Sequence, residues 1–530
     1  MRLTLAADYS NIYVYNLRGN QRTAGELSRK EGGKIFGGGS RNTVAIFIGV
    51  KDPTTTSPCT IYYRDIGDYL SRDDKLRILD SDDLEAVEWE SITPNKHGDW
   101  INQRDDNYAI YPPIGEKKPK PGQVVVFKSF SRGLESTRDA WVYNYSAATL
   151  KGSVTQLVSS YNSLITPFEN YCDSHSITKR DEAAVTRFLA ATPGASDTSR
   201  IKWSASLKQH LARARRANLD DSGIRLGAYR PFDIEHVYFD SMLNHRRGEI
   251  AAIFPTSNHS NLGFYVVGTG SDKPFSCLAT RMIPDLAFWG SGSGQFFHRY
   301  TYEKVEPEEG TLDISTSGGE VDEWGYRRID NITDDILKLY RKSLGSDKIT
   351  KDDIFEFVYG LLHSPTYRTK YAADLKKVLP RIPTPKTLDE FEQFRLAGRQ
   401  LMSLHADYES AAPYPLDVQI KKDADPQDRE TWRVEKMKWK SKTDHTALIY
   451  NPQVTIVGIP EDAERYLLGS RTALDWIRER YQVRTDKDSG IVNDPNDWCD
   501  EHDDPTYIID LIKKVTTVAV ETTRIVDSLP

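Results

Sequence analysis

The sequence predicts a mixed α+β fold, and three observations support this fold class. Near the N-terminus, apolar and polar residues alternate as they do in strands. Through the middle and the C-terminal third, apolar residues recur at helical spacing. Between the helical regions, short apolar runs are separated by glycine-rich turns, which is typical of short strands that present loops. A length of 530 residues predicts roughly three or four domains.

Composition and charge exclude several classes of protein. With 38% hydrophobic and 28% charged residues, the chain has the composition of a soluble globular protein. Its net charge of −7 gives no overall attraction to nucleic acid, so any contact with DNA must come from local basic patches. The cysteines are far apart in sequence, which argues against a zinc site or a disulfide framework and fits a reducing cytoplasm. No apolar run reaches membrane-spanning length, and the N-terminus lacks the apolar core of a signal peptide.

The first segment is predicted to contain three strands, Asn11–Asn16, Val44–Val50 and Thr60–Arg64. The continuous apolar run Val44–Val50 predicts a buried strand. The loop Leu17–Arg41 holds seven glycines and six basic residues, so its amides and cations could hold an anion. Its spacing does not match a GxxxxGK[ST] phosphate loop. The alternative is a flexible surface loop with solvated charges. The candidate DNA contacts in this loop are Arg18, Arg22, Lys34 and Arg41.

The segment Trp89–Arg104 combines basic, amide and aromatic side chains. Asn102 and Gln103 could each read an adenine edge through two hydrogen bonds, and the tryptophans could stack on bases. The alternative is a capped and buried turn held by Asp99 and Trp100.

The middle of the chain predicts one strand, Val124–Phe130, followed by a mainly helical region. Helices are predicted over Lys151–Ser174, Lys179–Ala191 and Trp203–Ala217. The last helix carries Arg213 on a basic side that could lie along a phosphate backbone. The alternative is a solvated helix end with favourable placement in the helix dipole.

The segment Ser131–Tyr145 places Arg132 and Arg138 among aromatic residues. Both arginines are candidate DNA contacts, because a guanidinium group matches phosphate and guanine edges. The alternative is a core strand with Trp141 and Tyr143 on one face.

The stretch Ala228–Ile250 holds the densest mixture of aromatic and basic side chains. Pro231 excludes a helix interior, so we expect a strand or extended arm followed by a short polar segment. Aromatic rings and guanidinium groups are the side chains that stack on bases and bind phosphates. The alternative is a buried aromatic strand with solvated arginines at one end. The candidate DNA contacts are Arg230, Tyr238, His245, Arg246 and Arg247, with Arg281 further along the chain.

The remaining sequence predicts short strands, an exposed acidic loop over Glu306–Trp324, and then mostly helices. The predicted strands are Phe264–Val267, Phe275–Leu278, Leu286–Trp289, Phe296–Tyr302, Ala447–Tyr450 and Val454–Val457. An exposed hairpin arm is predicted over Val434–Lys442. The predicted helices are Asp330–Arg341, Lys351–Leu362, Pro365–Leu379, Leu388–Leu404, Arg465–Tyr481 and Tyr507–Ser528.

Two long motifs resemble the C-terminal specificity region of type ISP restriction–modification enzymes. They are AYRPFDIEHVYFDSMLNHRRGEI at Ala228–Ile250 and IFEFVYGLLHSPTYRTKYAADLKKVLPRIP at Ile354–Pro383. The resemblance runs from Asn11 to about Ser528. Such enzymes are single-chain bacterial machines with nuclease, helicase-like ATPase, adenine methyltransferase and target-recognition parts.

The resemblance implies a division into three domains. Residues 1–115 would be the C-terminal remnant of a Rossmann-like methyltransferase domain, so that the chain begins partway through that domain. Residues 116–223 would be a largely helical connector. Residues 224–530 would form the specificity domain, which is β-rich and ends in helices.

The resemblance also implies a role in recognising double-stranded DNA and positioning an adenine for N6 methylation and restriction. The sequence lacks an AdoMet-binding glycine turn and the Asn/Asp-Pro-Pro-Tyr/Phe tetrapeptide, since the Pro-Pro pair at Pro112 and Pro113 has the wrong neighbours. We therefore expect no catalytic residue, no metal and no cofactor in this chain alone, with AdoMet acting in the complete enzyme. The partner would be a separate or upstream-encoded methyltransferase, helicase or nuclease chain. The alternatives are a standalone specificity subunit that pairs with a methyltransferase, and a nonfunctional fragment.

Overall fold

A computed structural model describes residues 1–22, 25–54, 57–292, 294–305 and 320–530. These residues fold into many helices and several small sheets, which confirms the predicted mixed α+β class. None of the helices in these ranges is both long and apolar enough to cross a membrane.

The N-terminal segment is a four-stranded sheet with helices beside it. Its strands run in the order β2-β1-β3-β4, with β1 parallel to β3 and the other pairs antiparallel. The strands are β1 (Asn11–Arg18), β2 (Val44–Val50), β3 (Thr60–Asp65) and β4 (Glu90–Ile92). The helices are α1 (Arg2–Asp8), α2 (Gly25–Glu31) and α3 (Arg72–Ser81). Alternation in β1 buries Tyr15 and Leu17 in a small core with Ile35 and Ile66.

The edge strand β2 exposes apolar side chains on both of its faces. Ile46, Phe47, Ile48 and Val50 are 40–44% exposed. A long apolar edge of this kind is usually covered by another strand or helix, because it offers unpaired backbone groups beside hydrophobic surface.

A helical region follows, in which polar side chains mark most of the helix starts. Ser146, Asp181 and Ser204 each accept a hydrogen bond from a backbone N–H in the first turn of a helix. The helices are α4 (Asp139–Val142), α5 (Ala147–Asn162), α6 (Ile165–Ser174), α7 (Glu182–Ala191) and α8 (Ala205–Ala212).

Three small sheets then surround the part of the chain with the densest basic and aromatic residues. Their strand orders are β10-β6-β7-β5, β11-β8-β9 and β12-β13. A short helix, α9 (Ile250–Ile253), lies within this region. The strands are β5 (Tyr143–Asn144), β6 (Ile224–Arg230), β7 (Asp233–Tyr238), β8 (Gly263–Val266), β9 (Cys277–Thr280), β10 (Ile283–Pro284), β11 (Gln295–His298), β12 (Tyr300–Lys304) and β13 (Tyr326–Asp330).

The C-terminal part is mainly helical. Its helices are α10 (Asp334–Leu344), α11 (Lys351–His363), α12 (Pro365–Lys370), α13 (Ala372–Leu375), α14 (Leu388–Ala406), α15 (Glu461–Arg465), α16 (Ala473–Arg480), α17 (Pro495–Glu501) and α18 (Tyr507–Asp527). A four-stranded sheet and two hairpins lie among them, formed by β14 (Asp417–Ile420), β15 (Lys438–Trp439), β16 (Ala447–Ile449), β17 (Val454–Val457), β18 (Leu467–Leu468), β19 (Arg471–Thr472), β20 (Arg484–Thr485) and β21 (Val492–Asn493).

Helices α11 and α14 cross in close contact because two glycines face each other. A Cβ atom placed on Gly360 would lie 2.1 Å from the carbonyl oxygen of Phe394, and one on Gly398 would lie 1.8 Å from that of Glu356. The long helix α18 then joins the two large cores, because Ile512 packs in one of them and Ile525 packs in the other. The helices therefore hold the β-rich region on a rigid support.

Several predicted elements are wrong in extent or type. Phe127 in the predicted strand Val124–Phe130 forms only isolated bridges, to Gly115 and Ile332. The predicted strand Leu286–Trp289 is a turn, because its backbone closes back on itself after Asp285. Of the predicted acidic loop, residues 306–319 lie outside the described residues.

Four other predictions merged separate elements. Lys151–Ser174 breaks after Asn162 into α5 and α6, and Phe296–Tyr302 breaks at Arg299 into β11 and β12. Pro365–Leu379 contains two short helices, and Arg465–Tyr481 contains a hairpin before α16. Turns of this kind are set by packing on distant segments, which periodicity along the chain does not report.

Candidate nucleic-acid interface

The stretch richest in aromatic and basic residues forms the hairpin of β6 and β7. Pro231 and Phe232 make its two-residue turn, and Phe232 adopts a left-handed φ of +57° after the proline, as a type II turn requires. Tyr238, at the end of β7, is buried, and its hydroxyl accepts a hydrogen bond of 3.0 Å from the backbone N–H of Asp220. Tyr238 therefore belongs to the core.

Arg230 is also buried at the hairpin turn. Its Nη1 atom donates to Asp285 Oδ1 at 2.6 Å, and its guanidinium carbon lies 3.8 Å from the centre of the Tyr229 ring. This geometry orients the planar guanidinium group firmly, with 8% of the side chain exposed.

A buried polar network lies beside Arg230 under the same hairpin. Arg480 donates to Asp233 at 3.1 Å, and the Tyr145 hydroxyl donates to Asp233 at 2.7 Å. Glu235 accepts from Asn493 at 3.0 Å through Oε2, while its buried Oε1 has no partner among the described residues. Burial, with a smaller contribution from the Asp233 carboxylate, raises the pKa of Glu235 to about 8.

On the surface, a cavity of about 510 Å³ brings two predicted contacts together; we call it the basic groove. Arg132 and Arg246 line it with Lys117 and Lys128, and the carboxylates there belong to Glu116, Glu135 and Glu249. The two arginines are neighbours because the backbones of Glu135 and Arg246 pair through two hydrogen bonds of 3.0 Å. Arg132 also donates to Glu135 at 2.9 Å.

Three more predicted contacts lie in the segments next to Arg246. His245 Nδ1 lies 3.0 Å from Ser206 Oγ, and the guanidinium of Arg247 lies 5.2 Å from the centre of the Phe239 ring. Burial lowers the pKa of Arg247, although its charge persists. Arg213 is exposed, but the predicted helix is wrong here, since α8 ends at Ala212 and the chain turns at once.

Arg138 is as deeply buried as Tyr238, with 1% of each residue exposed. It donates to the backbone carbonyls of Leu243 and Lys202 and, at 2.6 Å, to the hydroxyl of Ser204. Burial lowers its pKa to about 10. Its guanidinium group joins the start of α8 to the turn after β7, so it serves packing and has no face toward solvent.

The buried arginines and most residues of the basic groove lie within one recognisable unit, which Glu116 and Lys117 precede. A family model described as the Type ISP C-terminal specificity domain matches residues 125–511. The chain belongs to this family.

Solved structures extend the similarity beyond the specificity domain. The chain is similar to the Type ISP restriction-modification enzyme LlaGI, a nuclease-deletion mutant of which was solved with a DNA substrate mimic, at 36% identity and a TM-score of 0.79. It is also similar to ATP-dependent Type ISP LlaBIII bound to DNA (31%, 0.78) and to DrdV in a DNA complex (29%, 0.76). All of this chain is covered in each case, but only 44%, 31% and 48% of those chains. No match was found among curated proteins.

In this Type ISP chain, two of the four predicted contacts of the N-terminal loop, Arg18 and Lys34, have internal partners. Arg18 donates to Asp65 at 2.6 Å and also binds Asp68, which together raise its pKa against the effect of burial. The Lys34 ammonium lies 3.3 Å from the nearest glycine carbonyl of its own loop. Arg22 and Arg41 are exposed.

The predicted amide contacts lie on an exposed turn. Asn102 has a left-handed φ of +48°, and Gln103 donates to the carbonyl oxygens of Thr93 and Trp100. Beside them, Asp99 is buried and paired with Arg104 at 2.8 Å, so its pKa is far below the usual range despite burial. Of the alternative interpretation, a capped and buried turn held by Asp99 and Trp100, the structure has the buried Asp99, whereas Trp100 is half-buried and the turn at Asn102 and Gln103 is exposed.

A second cavity brings together two predicted contacts that are far apart in sequence. Arg22 and Arg230 line a hollow of about 180 Å³, with Lys273, Arg471 and Arg480 as its other cations. We call it the arginine cavity.

Sequence reasoning missed a third basic hollow, of about 380 Å³, around Arg299 and Arg328. Both guanidinium groups lie against the Tyr300 ring, at 4.2 and 4.4 Å from its centre. The predicted contact Arg281 lines the same hollow and forms two hydrogen bonds to Asp407. The available signal was the pairing of Arg299 with Tyr300 at the start of β12 and of Tyr326 with Arg327 and Arg328 in β13.

The described residues contain no group of three or more potential metal ligands. The four cysteines are free thiols, and burial raises the pKa of Cys277 to about 11. The arrangement can bind anions and planar groups.

Proposed function

We propose that this chain recognises a specific sequence in duplex DNA as the specificity part of a Type ISP restriction–modification system. The observation that carries the proposal is the basic groove, in which Arg132 and Arg246 meet on a chain of net charge −7. The similar enzymes LlaGI, LlaBIII and DrdV, each described in a DNA complex, support the same function.

The groove has the side chains that duplex recognition requires. Lys117 and Lys128 supply point charges that suit phosphates, whereas Arg132 and Arg246 supply flat forks that suit guanine edges. Gln295 lines the same groove, and its side-chain amide is the type of group that forms two hydrogen bonds with an adenine edge. Carboxylates between the cations separate them, so that binding depends on the spacing of the cations and not only on total charge.

We further propose that the bound duplex is held so that an adenine reaches a methyltransferase part. The exposed apolar edge strand β2 supports this idea, because a methyltransferase sheet could continue from it. Substitution of Phe47 by Lys should then prevent co-purification with a methyltransferase chain, while substitution of the exposed Ile110 should not. Unchanged co-purification of the Phe47 variant would contradict this docking edge.

AdoMet itself does not fit the hollow against the N-terminal sheet. The hollow against the N-terminal sheet, lined by Tyr13, Tyr15 and Trp89, measures about 180 Å³, whereas pockets for such ligands span about 300–1,000 Å³. The sequence also lacks the tetrapeptide that holds a flipped adenine. We therefore assign this chain no step of methyl transfer, and AdoMet would act in the complete enzyme.

The proposal is tested by duplex binding, measured by fluorescence anisotropy over a range of salt concentrations. The double variant Arg132→Ala/Arg246→Ala should weaken binding by roughly 1–3 kcal/mol for each arginine that meets a base. If the arginines meet phosphates instead, the slope of log K against log salt should become shallower by about one for each residue.

Arg524→Ala is the matched control. Like Arg132, Arg524 is exposed and paired with a glutamate three residues away, at 2.6 Å, but it lies on α18 outside the groove. Equal binding by the double variant and the wild type, with both folded, would remove the basic groove from the DNA interface. Weakening by both variants alike would show only a general effect of charge.

A further inference from the structure

The arginine cavity has a larger excess of cations over carboxylates than the basic groove has. Among the described residues, five cationic side chains line it, with the carboxylates of Asp272 and Glu479. Lys273 also donates to the backbone carbonyl and the hydroxyl of Ser291, at 3.1 and 2.5 Å, which holds its ammonium group at the cavity.

Two guanidinium groups of the cavity, those of the buried Arg230 and of Arg480 with 12% of its side chain exposed, are held from outside it. Arg230 is bound by Asp285 at 2.6 Å and Arg480 by Asp233 at 3.1 Å, and neither aspartate lines the cavity. The described hydrogen bonds of Arg480 use Nε only, so both of its terminal nitrogens remain for a ligand. Guanidinium groups fixed in this way need little reorganisation to bind an anion.

A buried donor without a partner supports a ligand at the same place. Trp289 lines the cavity, is 2% exposed, and has an Nε1–H with no hydrogen-bond acceptor among the described residues. Trp476 lines the cavity too, but its Nε1–H donates to Leu468 at 3.0 Å. An unpaired buried N–H is unfavourable, and an anion that accepts a hydrogen bond from it would remove that cost.

The turn at Gly290 brings backbone close to these groups. Gly290 has a left-handed φ of +84°, and a Cβ atom there would lie 3.3 Å from the Trp476 ring and 3.5 Å from Arg471 Nη1. The Arg471 guanidinium lies in turn 4.7 Å from the centre of the Trp476 ring, where it forms the accessible side of the cavity. It is paired with Glu479 at 2.7 Å and is 30% exposed.

We propose that the arginine cavity binds a phosphate group. Guanidinium forks, an ammonium group and an indole N–H together match the several acceptor oxygens of a phosphate. The phosphate could belong to the DNA backbone or to a free anion. Binding of a DNA backbone phosphate at this cavity rests on the function proposed above, whereas binding of a free anion does not.

The test titrates inorganic phosphate into the full chain by calorimetry, with acetate at equal ionic strength as the comparison anion. Phosphate should bind and acetate should not. Arg471→Ala should weaken phosphate binding by roughly tenfold or more, as expected for one lost charged hydrogen bond. Arg478→Ala should leave it unchanged, since Arg478 is also 30% exposed and paired with a carboxylate but does not line the cavity.

Competition with duplex DNA distinguishes the two sources. If phosphate displaces the duplex and Arg471→Ala weakens both, the cavity holds a backbone phosphate. If phosphate and the duplex bind together, it holds a free anion. A tenfold loss of duplex binding in Arg471→Ala, without measurable binding of free phosphate, would also support a backbone phosphate.

Equal binding of phosphate and acetate would overturn the proposal. So would the absence of phosphate binding together with unchanged duplex binding by Arg471→Ala. Lys273→Ala repeats the experiment should Arg471→Ala unfold, which thermal melting would show. Failure here is distinguishable from failure of the proposed function, because the variants of Arg132 and Arg246 test DNA binding separately.

Discussion

Replacing Glu235 by glutamine should change how the stability of the protein depends on pH. The Glu235 side chain is fully buried beside Asp233, and these surroundings raise its pKa from 4.5 to about 8. Glutamine has nearly the same shape and keeps the oxygen that accepts from Asn493 at 3.0 Å. It cannot ionise, so it removes the titration and leaves the packing in place.

The magnitude follows from the shift in pKa. Each pKa unit corresponds to about 1.36 kcal/mol, so a rise from 4.5 to about 8 corresponds to at most about 5 kcal/mol. Below pH 4.5, both the folded and the unfolded chain keep the proton on Glu235. Between pH 4.5 and 8 only the folded chain keeps it, so the wild type progressively loses free energy of unfolding as the pH rises. The glutamine variant should lack this loss.

Urea-induced unfolding, followed by tryptophan fluorescence at pH 5, 7 and 9, measures the effect. The variant should gain stability over the wild type from pH 5 to pH 9 by several kcal/mol. Glu430→Gln is the control, because the Glu430 side chain is 74% exposed and should give a difference that does not change with pH. A constant difference between the Glu235 variant and the wild type would refute the reasoning, since it would mean that Glu235 has the same pKa in both states.

Two further predictions concern packing. Gly398→Ala should lower the free energy of unfolding by about 3 kcal/mol, because the new Cβ would lie 1.8 Å from a carbonyl oxygen of α11. Gly152→Ala is the control, since open space surrounds Gly152 and the variant should not be destabilised. Equal melting temperatures of the two variants would contradict this close helix crossing. Asp99→Asn should speed limited proteolysis between the N-terminal segment and the remainder of the chain, because it weakens the 2.6 Å ion pair between Asp99 and Lys377. Asp106→Asn, at an exposed residue, should not change the rate of proteolysis. Identical digestion of the two variants would show that other contacts hold the N-terminal segment.

Regular elements were predictable where their cause is local. The helix Lys351–Leu362 begins where Thr350 and Asp353 form a reciprocal cap, and the signal for that cap lies within four residues. The strand Val44–Val50 was likewise predicted at its observed bounds from one apolar run. Its predicted burial is wrong, since all of its residues except Val44 are exposed. Burial depends on what covers the sheet.

Which of the arginines are buried was less predictable, since burial of a guanidinium group depends on partners that are distant in sequence. Arg138 is buried because carbonyl groups of Lys202 and Leu243 meet it, and Arg230 because Asp285 does. None of these partners lies within 50 residues of the arginine that it binds. The sequence therefore indicated the residue types of the candidate interface, but not which cations face solvent.

The buried arginines also bear on how such a chain could bind DNA without a basic overall charge. A net charge of −7 repels a duplex at long range, so attraction must act at short range, within about a Debye length. In the arginine cavity, Asp285 and Asp233 hold two guanidinium groups in place while reducing the field that they project. Cations paired in this way contribute little to indiscriminate binding of polyanions. A phosphate gains their hydrogen bonds only when it reaches the fixed position of the guanidinium group. Selectivity for position is what a specificity domain requires.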